Sequence, residues 1–396
     1  MEVVMAAYEV STVVTDVILN REYIKRKWLE EYVLSLAFLG FSGFVMGLVG
    51  IALERRLPPR YARGPALNTL AAFVLGLMQL RVLTETLYVF AAERRAKAAT
   101  RAQLPAPGAA AATAANPPPP PPPPDDTVSV KRLQDGLRFA AFVQAIVRDI
   151  PLFIIQANAT IHYRKWQPLD LWAVTSTGLT LLLAVAAYVC KRDTGALRAA
   201  GSFFLAGQFA ARAGAILLVA MTTKLLVLQY AAAITASSVL WSTVLRTAHT
   251  DRNGAVNLTR ALLFFPFFTL FVVDASRLTS RRGSTRQTLL GAKLWPLHGW
   301  RFLECVAGAL FAVYADRYED FGAATDAVIV RAAAICGGVY VISLAVCVGV
   351  ALLTLPTKDE ALYREPSVGD DDSPVITQQQ EAHHPHAAYS TMAAQA

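Results

Sequence analysis

The chain has 396 residues, of which 55% are hydrophobic and only 17% charged, with a formal net charge of +8. Soluble domains usually carry roughly 25% charged residues, so the balance excludes an ordinary array of water-soluble domains. The positive charge does not point to nucleic acid, because the Lys and Arg residues gather in short loops between apolar runs, as membrane topology favours.

About ten hydrophobic segments follow one another, near 2–19, 32–54, 67–91, 135–158, 169–190, 199–222, 225–246, 259–275, 297–315 and 327–355. A helix needs roughly 20 mostly apolar residues to cross a bilayer, and Tyr32 to Leu53 is one such run without a charge. The first twenty residues hold Glu2, Glu9 and Asp16 in an otherwise apolar stretch with no basic leader. That pattern predicts a first helix with an acidic face, not a cleaved signal peptide. Between the third and fourth segments, within a Pro/Ala-rich loop over 92–133, Pro117 to Pro124 are consecutive prolines. Such a run forms an extended rod. It is either a spacer or, through Pro117, Pro120, Pro121 and Pro124, a dock for a partner domain. The polar residues 356–396 are expected to form a disordered tail, leaving 1–355 as the membrane domain.

The basic loops constrain the topology. Strict alternation of ten crossings places either Arg94, Arg95, Lys97, Arg101, Lys191 and Arg198 or Arg55, Arg56, Arg60, Arg63, Arg281 and Arg286 outside, against the positive-inside tendency. If the third and eighth segments instead enter and return on one face, all these loops become cytoplasmic. The acidic stretch Asp316, Glu319, Asp320 and Asp326 then lies outside. Pro266 in the eighth segment, and Gly76 with Arg81 and Glu85 in the third, suit such irregular paths. The expected fold is therefore all-α and polytopic, with about eight transmembrane helices, two re-entrant hairpin segments and both termini cytoplasmic. Of two glycosylation sequons, Asn158-Ala-Thr160 would hug the outer face and Asn257-Leu-Thr259 would face the cytoplasm.

Ionisable residues within membrane segments each cost about 2.5–3.5 kcal/mol on insertion scales, so they pair or face water. Here Arg138, Asp274 and Arg301 are placed to reach the interface. Asp16, Glu85, Arg148, Asp149, Arg212 and Glu304 are placed deeper, with Glu9 on the first helix. Either these groups hold helices together by ion pairing, or they line a polar track for ions or lipid headgroups; both roles are compatible.

No P-loop, dinucleotide fingerprint, nucleophile elbow or HExxH motif is present, so the chain is not expected to be an enzyme or to need a cofactor or metal. Cys190, Cys305, Cys336 and Cys347 sit in or beside apolar segments without metal spacing, as packing thiols do.

Several pieces resemble the XK-related family of lipid scramblases. They are Tyr8 to Tyr23 with its Glu9 and Thr15-Asp16, the run Leu34 to Gly40, Arg148-Asp149-Ile150-Pro151 followed by Gln156, and Trp172 to Leu181. Arg212 and Arg301-Phe302-Leu303-Glu304 follow in the family's order. The resemblance runs in short pieces over most of 1–355 and implies the same eight crossings and two inserted hairpins. It departs where Arg148 stands three residues before the proline, the family's acidic position, and where Cys305 follows the ninth-segment acid. Asp370-Asp371-Asp372-Ser373 does not match the caspase site of protease-activated members.

The resemblance implies ATP-independent phospholipid scrambling, with Glu9, Asp16, Glu85, Arg148, Asp149, Gln156, Arg212 and Glu304 along a headgroup track in the plasma membrane. Membrane phospholipids, an accessory membrane subunit or a cytoplasmic lipid-transfer protein are the expected partners. A scaffold that recruits such a protein is the second reading, and an ion-coupled solute transporter is the third.

Overall fold

The computed structural model describes residues 2–54, 65–103, 125–162, 167–191, 193, 195–220, 229–230, 233–234, 236–237, 240, 270–273, 285–316 and 324–354, with side chains at most of these positions from Val10 onward. The chain divides into a helical unit through Leu353 and a unit from Thr354 onward, of which only Thr354 is described. Among the described residues there is no strand. The helices are α1 (Glu2–Lys25), α2 (Leu29–Glu54), α3 (Pro65–Leu77), α4 (Arg81–Gln103), α5 (Asp125–Gln144), α6 (Ile150–His162), α7 (Pro168–Val189), α8 (Gly195–Ala220), α9 (Trp295–Asp316) and α10 (Ala324–Leu353). Five stretches among them are long and apolar enough to cross a membrane: Leu29–Glu54, Leu133–Thr160, Pro168–Val189, Gly195–Val219 and Val330–Leu353.

The bundle buries charged side chains within a mainly apolar core and exposes many apolar ones. Arg81, Arg148 and Arg212 are among its largest fully buried side chains, whereas Val17, Val33, Leu48, Ile335, Ile342 and Leu353 are exposed. In water so much exposed apolar surface would drive aggregation; in lipid it meets its natural solvent. The helices are consistent with a multi-pass membrane protein.

Two left-handed residues end helices in the same way. Lys27 has φ 61° and Gln79 φ 60°. After α1, Trp28 N–H donates to Tyr23 O and Lys27 N–H to Ile24 O; after α3, Leu80 N–H donates to Leu75 O and Gln79 N–H to Gly76 O. This paired bonding satisfies the orphan carbonyls at a helix end. Tyr23 and Trp28 add ring packing at 5.6 Å across the first turn. Gln79 is held in its unusual conformation by its own amide, whose Nε2 donates to Ser42 Oγ at 2.6 Å and Leu39 O at 3.0 Å.

The third sequence segment is thus two helices, not one. A Cβ added at Gly43 would lie 2.7 Å from Leu77 O, and one at Gly50 2.7 Å from Ala72 O. α3 therefore runs antiparallel along α2, at a backbone distance only glycine permits. At the level of Ser42 the chain reverses. Arg81 then reaches Glu54 at 3.1 Å, and Glu85 lies beside Gly136, which in turn lies beside Leu53. Both limbs of this helical hairpin thus have their outer ends at the Glu54 end of α2, and α3 runs about 18 Å along α2 at 1.5 Å per residue.

The other contacts order the helix ends. Thr12 meets Thr180 and Arg26 meets Asp170, so α1 is antiparallel to α7. Phe142 stacks on Tyr188 while Gln156 meets Thr177, so α5 and α6 are also antiparallel to α7. Gly207 packs on Ser343 and Gly214 on Cys336, making α10 antiparallel to α8. Hence the start of α1 and the end of α10 lie at one end of the bundle. The same end holds Arg94, Arg95, Lys97, Lys131, Lys191 and Arg198. The opposite end holds the α1–α2 turn and the start of α7.

One wide turn joins α5 to α6. Ile150 N–H donates to Ala145 O, five residues back, and Ala145 to Asp149 are all buried. Pro151 explains it. Its ring would crowd the carbonyl four residues earlier and it has no N–H to offer, and a widened turn relieves that clash. The same turn presents both Arg148 and Asp149 to the interior.

Candidate functional site

The buried charges form three groups. In the first, Arg148 Nη2 donates to Asp16 Oδ2 at 2.6 Å, and Gln156 Nε2 donates to Asp16 Oδ1 at 3.0 Å. Thr177 Oγ1 donates to Gln156 Oε1 at 3.1 Å, and Arg148 Nη1 lies 3.8 Å from Asp149 Oδ1. One guanidinium thus stands between two carboxylates. α1, the wide turn, α6 and α7 each contribute, and all five residues are buried, Arg148 at 0% exposure. Gln156 is the hinge of the network because an amide both donates and accepts.

In the second group, Arg212 Nη1 and Arg301 Nη1 each donate to Glu304 Oε2 at 2.6 Å. Glu304 Oε1 accepts from Ser237 Oγ at 2.5 Å and from Trp300 Nε1 at 2.7 Å. Tyr230 adds a bond from its hydroxyl to the Glu304 carbonyl at 3.0 Å. Here two guanidiniums share one carboxylate.

In the third, at the hairpin, Arg81 pairs with Glu54 and Glu85. Beside the second group, His298 Nε2 donates to Leu289 O at 2.8 Å, which leaves Nδ1 to accept from Tyr340 Oη at 3.0 Å.

The residues expected along one headgroup track are therefore not continuous among the described residues. Asp16, Arg148, Asp149 and Gln156 come together; Arg212 and Glu304 form a separate group, and Glu85 belongs to the hairpin. Between the first two lies an aromatic contact. Phe153, between Asp149 and Gln156 on α6, packs on Phe209 at 4.8 Å, and Phe209 stacks on Phe271 at 6.2 Å. Phe209 is about one helical turn from Arg212, so an apolar ring contact lies between residues neighbouring the two groups.

Arg301, expected at an interface, is buried and ion-paired. Its spacing of three from Glu304 puts both on one helix face, the signal that marks it as part of the site. Arg138 is partly exposed near Asp135, as expected of a residue at a segment end. Thr177, Ser237, Tyr230 and Trp300 carried no such sequence signal, because ordinary apolar helices also contain them. Cys190, Cys305 and Cys347 are buried free thiols, and Cys336 is half-buried. The side chain of Glu9, and Pro117 to Pro124, Asn257, Pro266 and Asp274, lie outside the described residues.

No family model matches the chain, and no curated protein matches it.

Proposed function

We propose that the chain is a membrane protein of XK-related type that lets phospholipids exchange between leaflets without ATP. The observation that carries this reading is the set of buried, ion-paired charges inside a bundle whose outer surface is largely apolar. Structural pairing alone asks for a few isolated bridges; here amide and hydroxyl groups extend the charges into local networks. Polar side chains at membrane depth lower the barrier to a charged headgroup, while its acyl tails stay in the bilayer. In this reading the chain crosses eight times and inserts two hairpins, α3–α4 being the first; the second, 259–275, lies largely outside the described residues. The bundle end rich in Lys and Arg faces the cytoplasm, which brings both ends of the helical unit to that side, and the membrane is the plasma membrane. Supporting this, the described helix ends beside the basic loops lie together.

A scaffold reading draws on the other feature at that end. Past Glu85, α4 continues for some 27 Å at 1.5 Å per residue, beyond the end of α2. It carries exposed Arg94, Arg95 and Lys97 and leads into the proline run. A lipid-transfer protein captured only when Pro117 to Pro124 are intact would favour that reading.

The deciding experiment reconstitutes the purified protein into vesicles with fluorescent phospholipid in both leaflets and adds a membrane-impermeant quencher. Signal loss well beyond the outer-leaflet half, absent from protein-free vesicles, is the expected result. A stop at the half, with and without the basic loops occupied by partner, removes the transport reading.

A further inference from the structure

The bundle end that gathers the basic residues has an ordered edge where α4 and α5 meet. Glu85 lies beside Gly136, and Gln134 Nε2 donates to Glu93 Oε1 at 3.0 Å, so the two helices run antiparallel. The second contact brings the α4 turn that begins at Glu93 beside the residues just before Leu133. At Leu133 the apolar stretch Leu133–Thr160 starts. The exposed cations Arg94 and Lys97 on α4 and Lys131 on α5 therefore stand at the outer limit of the apolar bundle.

Two ring–cation pairs mark the same end. The Arg94 guanidinium lies 4.6 Å over the Phe90 ring, which is 44% exposed. At the end of α7, Lys191 Nζ lies 4.3 Å over the Tyr188 ring. A ring on the acyl side with a cation about one turn farther out is how such side chains straddle a membrane interface. The nearby acids, among the described residues, are engaged elsewhere: Glu93 accepts from Gln134, and Asp135 faces Arg138 at 3.8 Å. At the opposite end of the bundle cations meet carboxylates, Lys25 pairing with Glu22 and Arg26 with Asp170.

An anionic leaflet attracts basic groups held within a Debye length of its surface. We propose that Arg94, Lys97 and Lys131 dock anionic phospholipid headgroups of the leaflet at this end of the bundle. A soluble acidic partner would leave the exposed Phe90 ring without a role, whereas acyl chains beneath a headgroup cover it. The inference rests on the helices lying in a membrane and not on lipid exchange.

The test uses the purified full chain in detergent, incubated with equal amounts of phosphatidylglycerol and phosphatidylcholine of the same tails and read by native mass spectrometry. Wild type is expected to retain phosphatidylglycerol about tenfold better, since each basic side chain at an anionic surface contributes about fivefold. The triple variant Arg94→Gln, Lys97→Gln, Lys131→Gln changes only exposed side chains and is expected to fall to near parity. Lys25→Gln, at the opposite end, is expected to keep the full preference. Equal retention of the two lipids by wild type overturns the proposal without any variant. So does a wild-type preference that survives about 1 M salt, where screening falls to about 3 Å. Undiminished preference in the triple variant, or an equal fall in Lys25→Gln, overturns the assignment to this edge. Displacement of phosphatidylglycerol by an equimolar oligoglutamate peptide would assign the edge to a soluble acidic partner and overturn membrane docking.

Discussion

The Asp16–Arg148 group and the Arg212–Glu304 group use the same chemistry in opposite settings. The first is closed on every side: its members come from three helices and the wide turn between α5 and α6, and an amide and a hydroxyl extend the bonding. The second lies at the edge of the bundle, and a half-exposed indole is part of its bonding. A sealed group of this kind clamps helices together, and breaking it strands a buried charge. The edge group shares its bonding with a side chain that meets the surface. Burial, not residue type, separates the two settings.

The largest way to break the comparison is Arg148→Gln. It removes the cation between Asp16 and Asp149, and stranding a buried charge costs about 3–5 kcal/mol. Loss of monodisperse protein in detergent, or a steep fall in its thermal midpoint, is the expected outcome. Folded Arg148→Gln with unchanged stability would mean the first group is not a clamp.

Phe209→Ala comes next, at about 3 kcal/mol for a truncated core aromatic. It also opens the apolar contact between the two groups. In vesicles the surviving protein is expected to pass lipid faster than wild type, relative to the amount reconstituted. Slower passage would show that the aromatic contact supports the path rather than interrupting it.

Thr177→Val sharpens the same contrast more gently, since it deletes only the donor to Gln156 Oε1 and should cost about 1 kcal/mol. A unimodal shift of a few degrees in the melting curve is the check. Smallest is Arg138→Ala. Its partner Asp135 is more than half exposed at 3.8 Å, and a surface pair of this kind contributes at most about 0.5 kcal/mol. A melting curve superimposable on wild type is expected; a large shift there would place the membrane boundary deeper along α5 than the charges imply.

Much of this architecture is legible in the residues. Hydrophobic length marks five of the helical stretches, because the transfer of about twenty apolar side chains into lipid outweighs most local interactions. The interruption of the third segment also follows from its charges, since Arg81 and Glu85 cannot continue an apolar crossing. Its location at Gln79 does not, because glutamine has no preference for left-handed backbone and is held there by Ser42, thirty-seven residues away.

The same division runs through the candidate site. Sequence determined that Asp16, Arg148, Asp149, Arg212 and Glu304 must find partners, since an ionised group in hydrocarbon has no other refuge. Tertiary structure decided which partner each one found. It drew Gln156 to Asp16, set Arg301 beside Arg212 and placed Phe153 and Phe209 between the groups. Those pairings arise where helices distant in the chain pack at one depth, and periodicity along a single helix carries no information about depth in another.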